Sequence, residues 1–118
     1  MKRILIIEDE KDIVDIATII LEDEGYEVSS FSEYAGFESK VNDSKADLVL
    51  LDLNLRGYQG KDICKYIKGQ DSLKQTSVIL MSANRDIQAV KDEAGADACI
   101  CKPFDLVDFI TTVKANIN

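Results

Sequence analysis

The sequence contains no histidine, no tryptophan and only one proline, and its three cysteines are odd in number. Without histidine, a zinc site would lack its usual nitrogen ligands. The cysteines, at 64, 99 and 101, lie inside apolar patterns, which favours buried reduced thiols over a disulfide framework. One proline, six glycines and 46% hydrophobic residues are typical of a globular chain, and they exclude a low-complexity or disordered one.

Basic residues are also scarce, with 14 against 22 acidic residues and a net charge of −8. This charge repels nucleic-acid backbones and anionic membrane surfaces, and the bases do not cluster. The sequence therefore predicts no direct nucleic-acid binding by this domain and no membrane association. The apolar run from Ile4 to Ile7 is too short for a signal peptide, and no run is long enough to span a bilayer. A cytoplasmic protein is expected.

Two kinds of segment alternate along the 118 residues, a length that suits one domain over residues 1–118 with a core of its own. Short β-branched or leucine-rich runs predict strands, and longer runs with apolar residues at helical spacing predict helices. The predicted strands are 3–7, 26–31, 46–52, 77–82 and 97–101. The predicted helices are 11–24, 33–42, 60–69, 85–93 and 105–117.

The first, third and fourth predicted strands are nearly continuous apolar runs, as in a parallel sheet that is covered on both faces. The second is more polar and suits a sheet edge. Right-handed crossovers then predict an α/β fold: a three-layer, doubly wound (βα)5 parallel sheet with the flavodoxin-like strand order 2-1-3-4-5.

The first predicted helix has one broad apolar face formed by Ile13, Val14, Ile16, Ala17, Ile20 and Leu21. Ile19 falls on its polar side. It is either a single exposed aliphatic side chain, which is common, or a contact for a partner.

Polar side chains follow four of the predicted strands at the point where each strand ends. They are Glu8, Asp9 and Glu10, then Asp52, Ser82 and Lys102. Carboxyl ends of parallel strands share one sheet edge, so these groups are expected to converge at the switch point of the topology. Facing carboxylates repel unless a cation neutralises them, and Mg²⁺ prefers such oxygen ligands. Carboxylate, metal, hydroxyl and ammonium suit a phosphoryl group, with Asp52 as the nucleophile.

Four motifs, in order, carry a family resemblance: "ILIIEDE", "LVLLDLNLRGYQG", "VILMSAN" and "GADACICKPF". Together they resemble the receiver domain of two-component response regulators from end to end. The resemblance implies that Asp52 accepts a phosphoryl group from a phosphohistidine on a sensor histidine kinase or a histidine phosphotransfer protein. It also implies a signalling phosphoacceptor that catalyses its own phosphorylation and dephosphorylation, rather than a conventional enzyme. Phosphorylation would switch the interaction with a downstream effector or an attached output domain.

The resemblance also implies a ligand set for Mg²⁺. In such domains Asp9 would bind the metal directly, and Glu8 would act largely through water. Asp52 and the backbone carbonyl of Asn54 would complete the protein ligands.

Two further residues would contact the phosphoryl oxygens, namely Ser82 and Lys102. The bond between Lys102 and Pro103 is usually cis in the family.

The chain departs from the family pattern at three positions. Arg56 stands where many members have proline, and the first acid is Glu8 rather than aspartate. Cys99 stands three residues before the lysine, where many receivers carry a switching tyrosine or phenylalanine. Residues 84–101 are nevertheless the expected output face.

Three alternative functions use the same fold or the same kind of nucleophile. A phosphatase of the haloacid dehalogenase type would carry a second aspartate two residues after the nucleophile, where this chain has Asn54. A flavin-binding protein would need a phosphate-cradling loop after the first strand, where acids stand instead. A phosphate-independent interaction module on the same fold stays open. The sequence leaves three further points open: the cognate kinase, dimerisation on phosphorylation, and whether the chain works alone or within a longer protein.

Overall fold

The computed structural model of this chain describes residues 1–117; residue 118, the last of the predicted domain, lies outside the described residues. It contains seven strands: β1 (Arg3–Ile7), β2 (Glu27–Phe31), β3 (Leu48–Asp52), β4 (Asn54–Leu55), β5 (Tyr58–Gln59), β6 (Ser77–Ser82) and β7 (Ala98–Cys101). Five of them form one parallel sheet in the order β2-β1-β3-β6-β7. Counted along this sheet alone, the order is the predicted 2-1-3-4-5.

In the described part of the chain, five helices connect and flank these strands: α1 (Lys11–Asp23), α2 (Phe37–Ser44), α3 (Gly60–Gly69), α4 (Ile87–Ala94) and α5 (Leu106–Asn116). A short 3-10 helix, Asp71–Leu73, precedes β6. The predicted start of α2 at residue 33 is wrong by four positions. Gly36 has a φ of 74°, a left-handed conformation that interrupts a helix, so residues 32–35 form a loop instead.

The core consists of two apolar layers, one on each face of the sheet. One face packs against α1 and α5, with Ala17, Leu21, Phe109 and Val113 fully buried. The other face packs against α2, α3 and α4. Since every residue of β3 and β6 is buried and β2 is largely exposed, the three-layer fold with β2 at its edge is confirmed.

The antiparallel hairpin formed by β4 and β5 was not predicted, because strands of two residues have no periodicity to detect. Arg56 and Gly57 form its two-residue turn. Gly57 has a φ of 77°, which a glycine adopts without strain.

Two interpretations from the sequence were wrong: that Ile16 belongs to the apolar face of α1, and that all three cysteines are buried. Ile16 is 54% exposed because it lies about 100° around the axis of α1 from the buried Ala17. Ile19 is 69% exposed, as expected. Of the cysteines, which are all free thiols, Cys64 is buried but Cys101 is exposed. Within residues 1–117, no helix is both long enough and apolar enough to cross a membrane.

Candidate functional site

Two carboxylates lie buried at the carboxyl edge of the sheet. Asp52 ends β3 and is 5% exposed, while Glu8 directly follows β1 and is 1% exposed. Because β1 and β3 are hydrogen-bonded neighbours, their ends bring these two acids to one place. Burial of a charged carboxylate is costly unless the charge is compensated.

The compensating charge is the ammonium group of Lys102. Its Nζ donates to Oε1 of Glu8 at 2.6 Å and to Oδ2 of Asp52 at 3.2 Å. The backbone of Lys102 is held in turn, since its N–H donates to the carbonyl of Ser82 at 2.8 Å. The bond to Pro103 is cis, as the family resemblance implied. Burial lowers the pKa of Lys102, but hydrogen bonds and charges from the two acids outweigh it and leave the pKa raised.

The pKa of the Glu8 carboxyl is unusually high. Burial, together with the neighbouring Asp52, raises its pKa to about 7 although Lys102 opposes the shift. Its second oxygen, Oε2, accepts hydrogen bonds from the backbone N–H groups of Asp9 at 2.9 Å and Glu10 at 3.3 Å. Glu8 therefore holds two groups at once: Oε1 binds the ammonium of Lys102, and Oε2 binds the first N–H groups of the β1–α1 loop.

Asp9 takes different partners from the other two acids. Its Oδ1 accepts a hydrogen bond from the hydroxyl of Tyr34, and its Oδ2 accepts one from the backbone N–H of Arg56 at 2.7 Å. Tyr34 is 4% exposed, and burial together with Asp9 raises the pKa of its phenol. Sequence reasoning missed Tyr34, because a lone tyrosine in a loop carries no motif that would indicate its contact with Asp9.

Backbone donors hold the remaining predicted site residues. The N–H of Asn54 donates to Oδ1 of Asp52 at 3.1 Å, so both oxygens of this carboxylate have a partner. Ser82 is buried at the end of β6, and its Oγ accepts from the N–H of Asn84 at 3.0 Å. The loops after β3 and β6 therefore turn back onto the strand-end side chains that precede them.

Glycine at position 60 permits the close packing behind Asp52. A Cβ on Gly60 would lie 2.1 Å from the carbonyl oxygen of Asp52 and 2.7 Å from the Cα of Leu53. Both are backbone atoms that cannot move aside cheaply. The start of α3 can thus approach the site only because residue 60 has no side chain.

Cys99, in the position of the family's switching aromatic residue, lies half-buried in β7. Its thiol donates a long contact, 3.5 Å, to Oε1 of Gln88 in α4. This small side chain faces the α4 side of the sheet, so the predicted output segment 84–101 contains no bulky ring at that point.

The metal ligands named from the sequence are all oxygen donors, which suits Mg²⁺. Within residues 1–117, however, no three His, Cys, Asp or Glu side chains are grouped closely enough to hold a metal ion. Glu8 and Asp52 share Lys102, while Asp9 is bonded to Tyr34 and Arg56. The donor chemistry fits the metal, and Asp9 is the one of these three acids that has no hydrogen bond to Lys102.

Comparison with known proteins defines the class to which this fold and site belong. The profile of the response regulator receiver domain matches residues 4–114. The chain therefore belongs to the response regulator receiver domain family of two-component signalling.

Individual relatives agree with this assignment. The chain is 32% identical over 115 residues to the sensory transduction protein RegX3 of Mycolicibacterium smegmatis, covering 98% of this chain and 50% of RegX3. It is 30% identical over 118 residues to the DNA-binding response regulator MtrA of Mycobacterium leprae, covering 98% and 51% of the two chains. The chain thus spans about half the length of the curated relatives it matches.

Among solved structures, the response regulator protein TrrA of Thermotoga maritima, in complex with Mg²⁺-BeF, superposes with a TM-score of 0.88. It is 27% identical, and the match covers 99% of this chain and 100% of TrrA.

Proposed function

We propose that the chain is a phosphoacceptor receiver domain over residues 1–118 and that Asp52 is the phosphorylated residue. The observation that carries this proposal is the environment of Asp52 in a chain of this family. It ends a central strand at the sheet edge, with Lys102 at Oδ2 and the N–H of Asn54 at Oδ1. These donors would also stabilise the charge that develops on a transferring phosphoryl group.

The proposed reaction is phosphoryl transfer from a phosphohistidine to Asp52. A carboxylate oxygen of Asp52 attacks phosphorus, so a P–O bond forms and the P–N bond breaks. The imidazole nitrogen keeps the electron pair and takes a proton, and the product is an acyl phosphate. Lys102 and Ser82 would contact the phosphoryl oxygens.

Mg²⁺ is the proposed cofactor, in keeping with the Mg²⁺-BeF complex of TrrA. Asp9, Asp52 and the carbonyl of Asn54 would hold it, with Glu8 acting through water. The metal would neutralise charge among these carboxylates and the phosphoryl oxygens.

The proposed partners are a histidine kinase or histidine phosphotransfer protein as donor and a downstream effector as recipient of the signal. The net charge of −8 argues against direct nucleic-acid binding by this domain, although MtrA is described as DNA-binding over its whole, longer chain. Free thiols in the described chain support action in the cytoplasm, where thiols stay reduced.

A phosphate-independent interaction module is the second candidate. It is favoured by one observation, namely that both oxygens of Asp9, a proposed metal ligand, already accept hydrogen bonds from Tyr34 and Arg56. Such a module would keep the fold and fail to accept phosphate.

The deciding experiment is incubation with acetyl phosphate and Mg²⁺, followed by intact-mass spectrometry. We expect the mass gain of one phosphoryl group in the wild type and none in Asp52→Asn, with the circular dichroism spectrum unchanged. Asp108→Asn, at an exposed position of α5, is the matched control and should retain phosphorylation. Undiminished phosphate incorporation in Asp52→Asn would refute the site, and absence of any adduct in the wild type would favour the module.

A further inference from the structure

Both carboxylate oxygens of Asp9 are bonded to groups from two loops that lie far away in the sequence. Tyr34 belongs to the loop between β2 and α2, and Arg56 belongs to the turn of the β4–β5 hairpin. Hydrogen bonds to a charged carboxylate are among the stronger ones in proteins. The orientation of the Asp9 side chain is therefore set by these two loops.

Aromatic packing fixes the position of the Tyr34 hydroxyl. The ring lies edge-on to Tyr58 with centroids 5.8 Å apart, and its centroid is 6.2 Å from that of Phe31. Tyr58 belongs to the same hairpin as Arg56, so the two donors to Asp9 are packed against each other through the Tyr34–Tyr58 contact. Moving one loop would disturb the other.

The three acids at the sheet edge, Glu8, Asp9 and Asp52, have two different sets of hydrogen-bond partners. Glu8 and Asp52 are bridged by Lys102, whereas neither oxygen of Asp9 is bonded to that lysine. Across residues 1–117 the three carboxylates do not form a metal-sized group. An ion that bound Asp52 and Asp9 together would compete with the Tyr34 hydroxyl and the Arg56 N–H for the carboxylate oxygens of Asp9.

We propose that Tyr34 and the backbone N–H of Arg56 are positioning groups that hold the Asp9 carboxylate in its present orientation and thereby oppose Mg²⁺ binding at Asp9 and Asp52. This inference rests on the proposed function only in taking Asp9 and Asp52 as Mg²⁺ ligands. Binding of Mg²⁺ exchanges the two hydrogen bonds at Asp9 for a metal contact, so the apparent affinity is reduced by what those bonds contribute. Release of Asp9 also frees the hairpin turn from its contact with residue 9.

The residue type at position 56 decides whether this hydrogen bond to Asp9 can form. Arginine supplies the backbone N–H that donates to Asp9, whereas proline has none. Proline is also sterically acceptable here, because the turn has Gly57 at its positive-φ position and proline favours the position before it. Arg56→Pro therefore removes one donor without breaking the turn.

The first test removes the other donor. In Tyr34→Phe the ring and its packing remain and only the hydroxyl is lost. Mg²⁺ alone is titrated into the full chain and followed by calorimetry and by backbone amide NMR shifts. We expect about a tenfold lower dissociation constant than in the wild type, which equals about 1.4 kcal/mol. Tyr58→Phe is the matched control, because it removes a hydroxyl from the neighbouring ring and leaves the bond from Tyr34 to Asp9 in place.

The second test compares Arg56→Pro with Arg56→Ala. Both lose the positive side chain, but only proline loses the N–H that donates to Asp9. Proline also fixes φ at position 56, so this comparison is combined with Tyr34→Phe, which leaves the backbone unchanged. We expect Mg²⁺ to bind Arg56→Pro several-fold more tightly than Arg56→Ala. In the wild type, the amide resonance of Arg56 should shift as Mg²⁺ is added.

The outcomes separate this inference from the proposed function. If the wild type binds Mg²⁺ and the Tyr34→Phe and Arg56→Pro variants bind it equally or more weakly than their controls, the positioning role is overturned while the metal site stands. If neither the wild type nor any variant binds Mg²⁺ at millimolar concentrations, the metal site itself is refuted, and the positioning role is refuted with it.

Discussion

The ammonium nitrogen of Lys102 lies 2.6 Å from Oε1 of Glu8, a carboxylate whose side chain is fully buried. The same nitrogen is 3.2 Å from Oδ2 of Asp52, so one cation serves two buried acids that come from different strands. Lys102 compensates the charge of both buried acids, so we expect the stability of the folded chain to depend on Lys102.

Lys102→Met should therefore lower the free energy of unfolding by about 3 kcal/mol at pH 8, because two buried carboxylates lose their counter-charge. The loss is measured by urea denaturation in the presence of EDTA. Adding Glu8→Gln to Lys102→Met should recover part of it, since glutamine leaves one charge fewer to compensate. Equal losses in the single and double variants would show that Glu8 and Lys102 are not coupled.

The raised pKa of Glu8 predicts a pH dependence of stability. Its ordinary pKa of 4.5 applies in the unfolded chain, and in the folded chain the pKa is about 7. Between these values the folded state holds a proton that the unfolded state has released. The contribution of Glu8 to stability is therefore full below about pH 4.5 and decreases by about 3 kcal/mol as the pH rises through 7.

Unfolding curves of the metal-free wild type and of Glu8→Gln, measured between pH 5 and pH 8, check this dependence. The variant should lack the decline that Glu8 contributes, and parallel curves for the two proteins would contradict the assignment.

Gly60→Ala should destabilise the chain by about 3 kcal/mol, because the new Cβ would overlap the backbone of Asp52 and Leu53. Thermal unfolding measures the loss, and phosphorylation by acetyl phosphate should fall with it, since Asp52 is displaced. Gly69→Ala, at the last residue of α3, is the control. Nothing lies within 4 Å of its Cβ, so it should be neutral or stabilising by up to about 1 kcal/mol. Equal effects at the two positions would show that the approach to Asp52 is not tight.

The three thiols should react in the order of their exposure. Cys101 is exposed, whereas burial raises the pKa of Cys64 to about 11 and keeps its thiolate scarce. Ellman's reagent at pH 8 should modify Cys101 first and Cys64 only on unfolding. The fast phase should disappear in Cys101→Ser, and a fast reaction that persists there would place the exposed thiol elsewhere.

Much of the fold could be predicted from local patterns. The bounds of β1, β6 and α3 agree with those read from the sequence, because apolar runs and helical spacing are properties of consecutive residues. The start of α2 could not be predicted from spacing alone, since the inward turn of Tyr34 and the left-handed Gly36 delay it. The β4–β5 hairpin is too short to leave a pattern.

The sequence by itself determined the alternation of strands and helices, and hence that acids, a hydroxyl and a lysine stand at strand ends along one edge. Only the tertiary structure decided which donor each carboxylate accepts. Lys102 bridges Glu8 and Asp52 across 94 and 50 residues, and Asp9 takes its donors from 25 and 47 residues away. A hydrogen bond forms only when donor and acceptor lie about 3 Å apart, within a few tenths of an ångström, and no local pattern encodes that placement for groups so remote in the sequence.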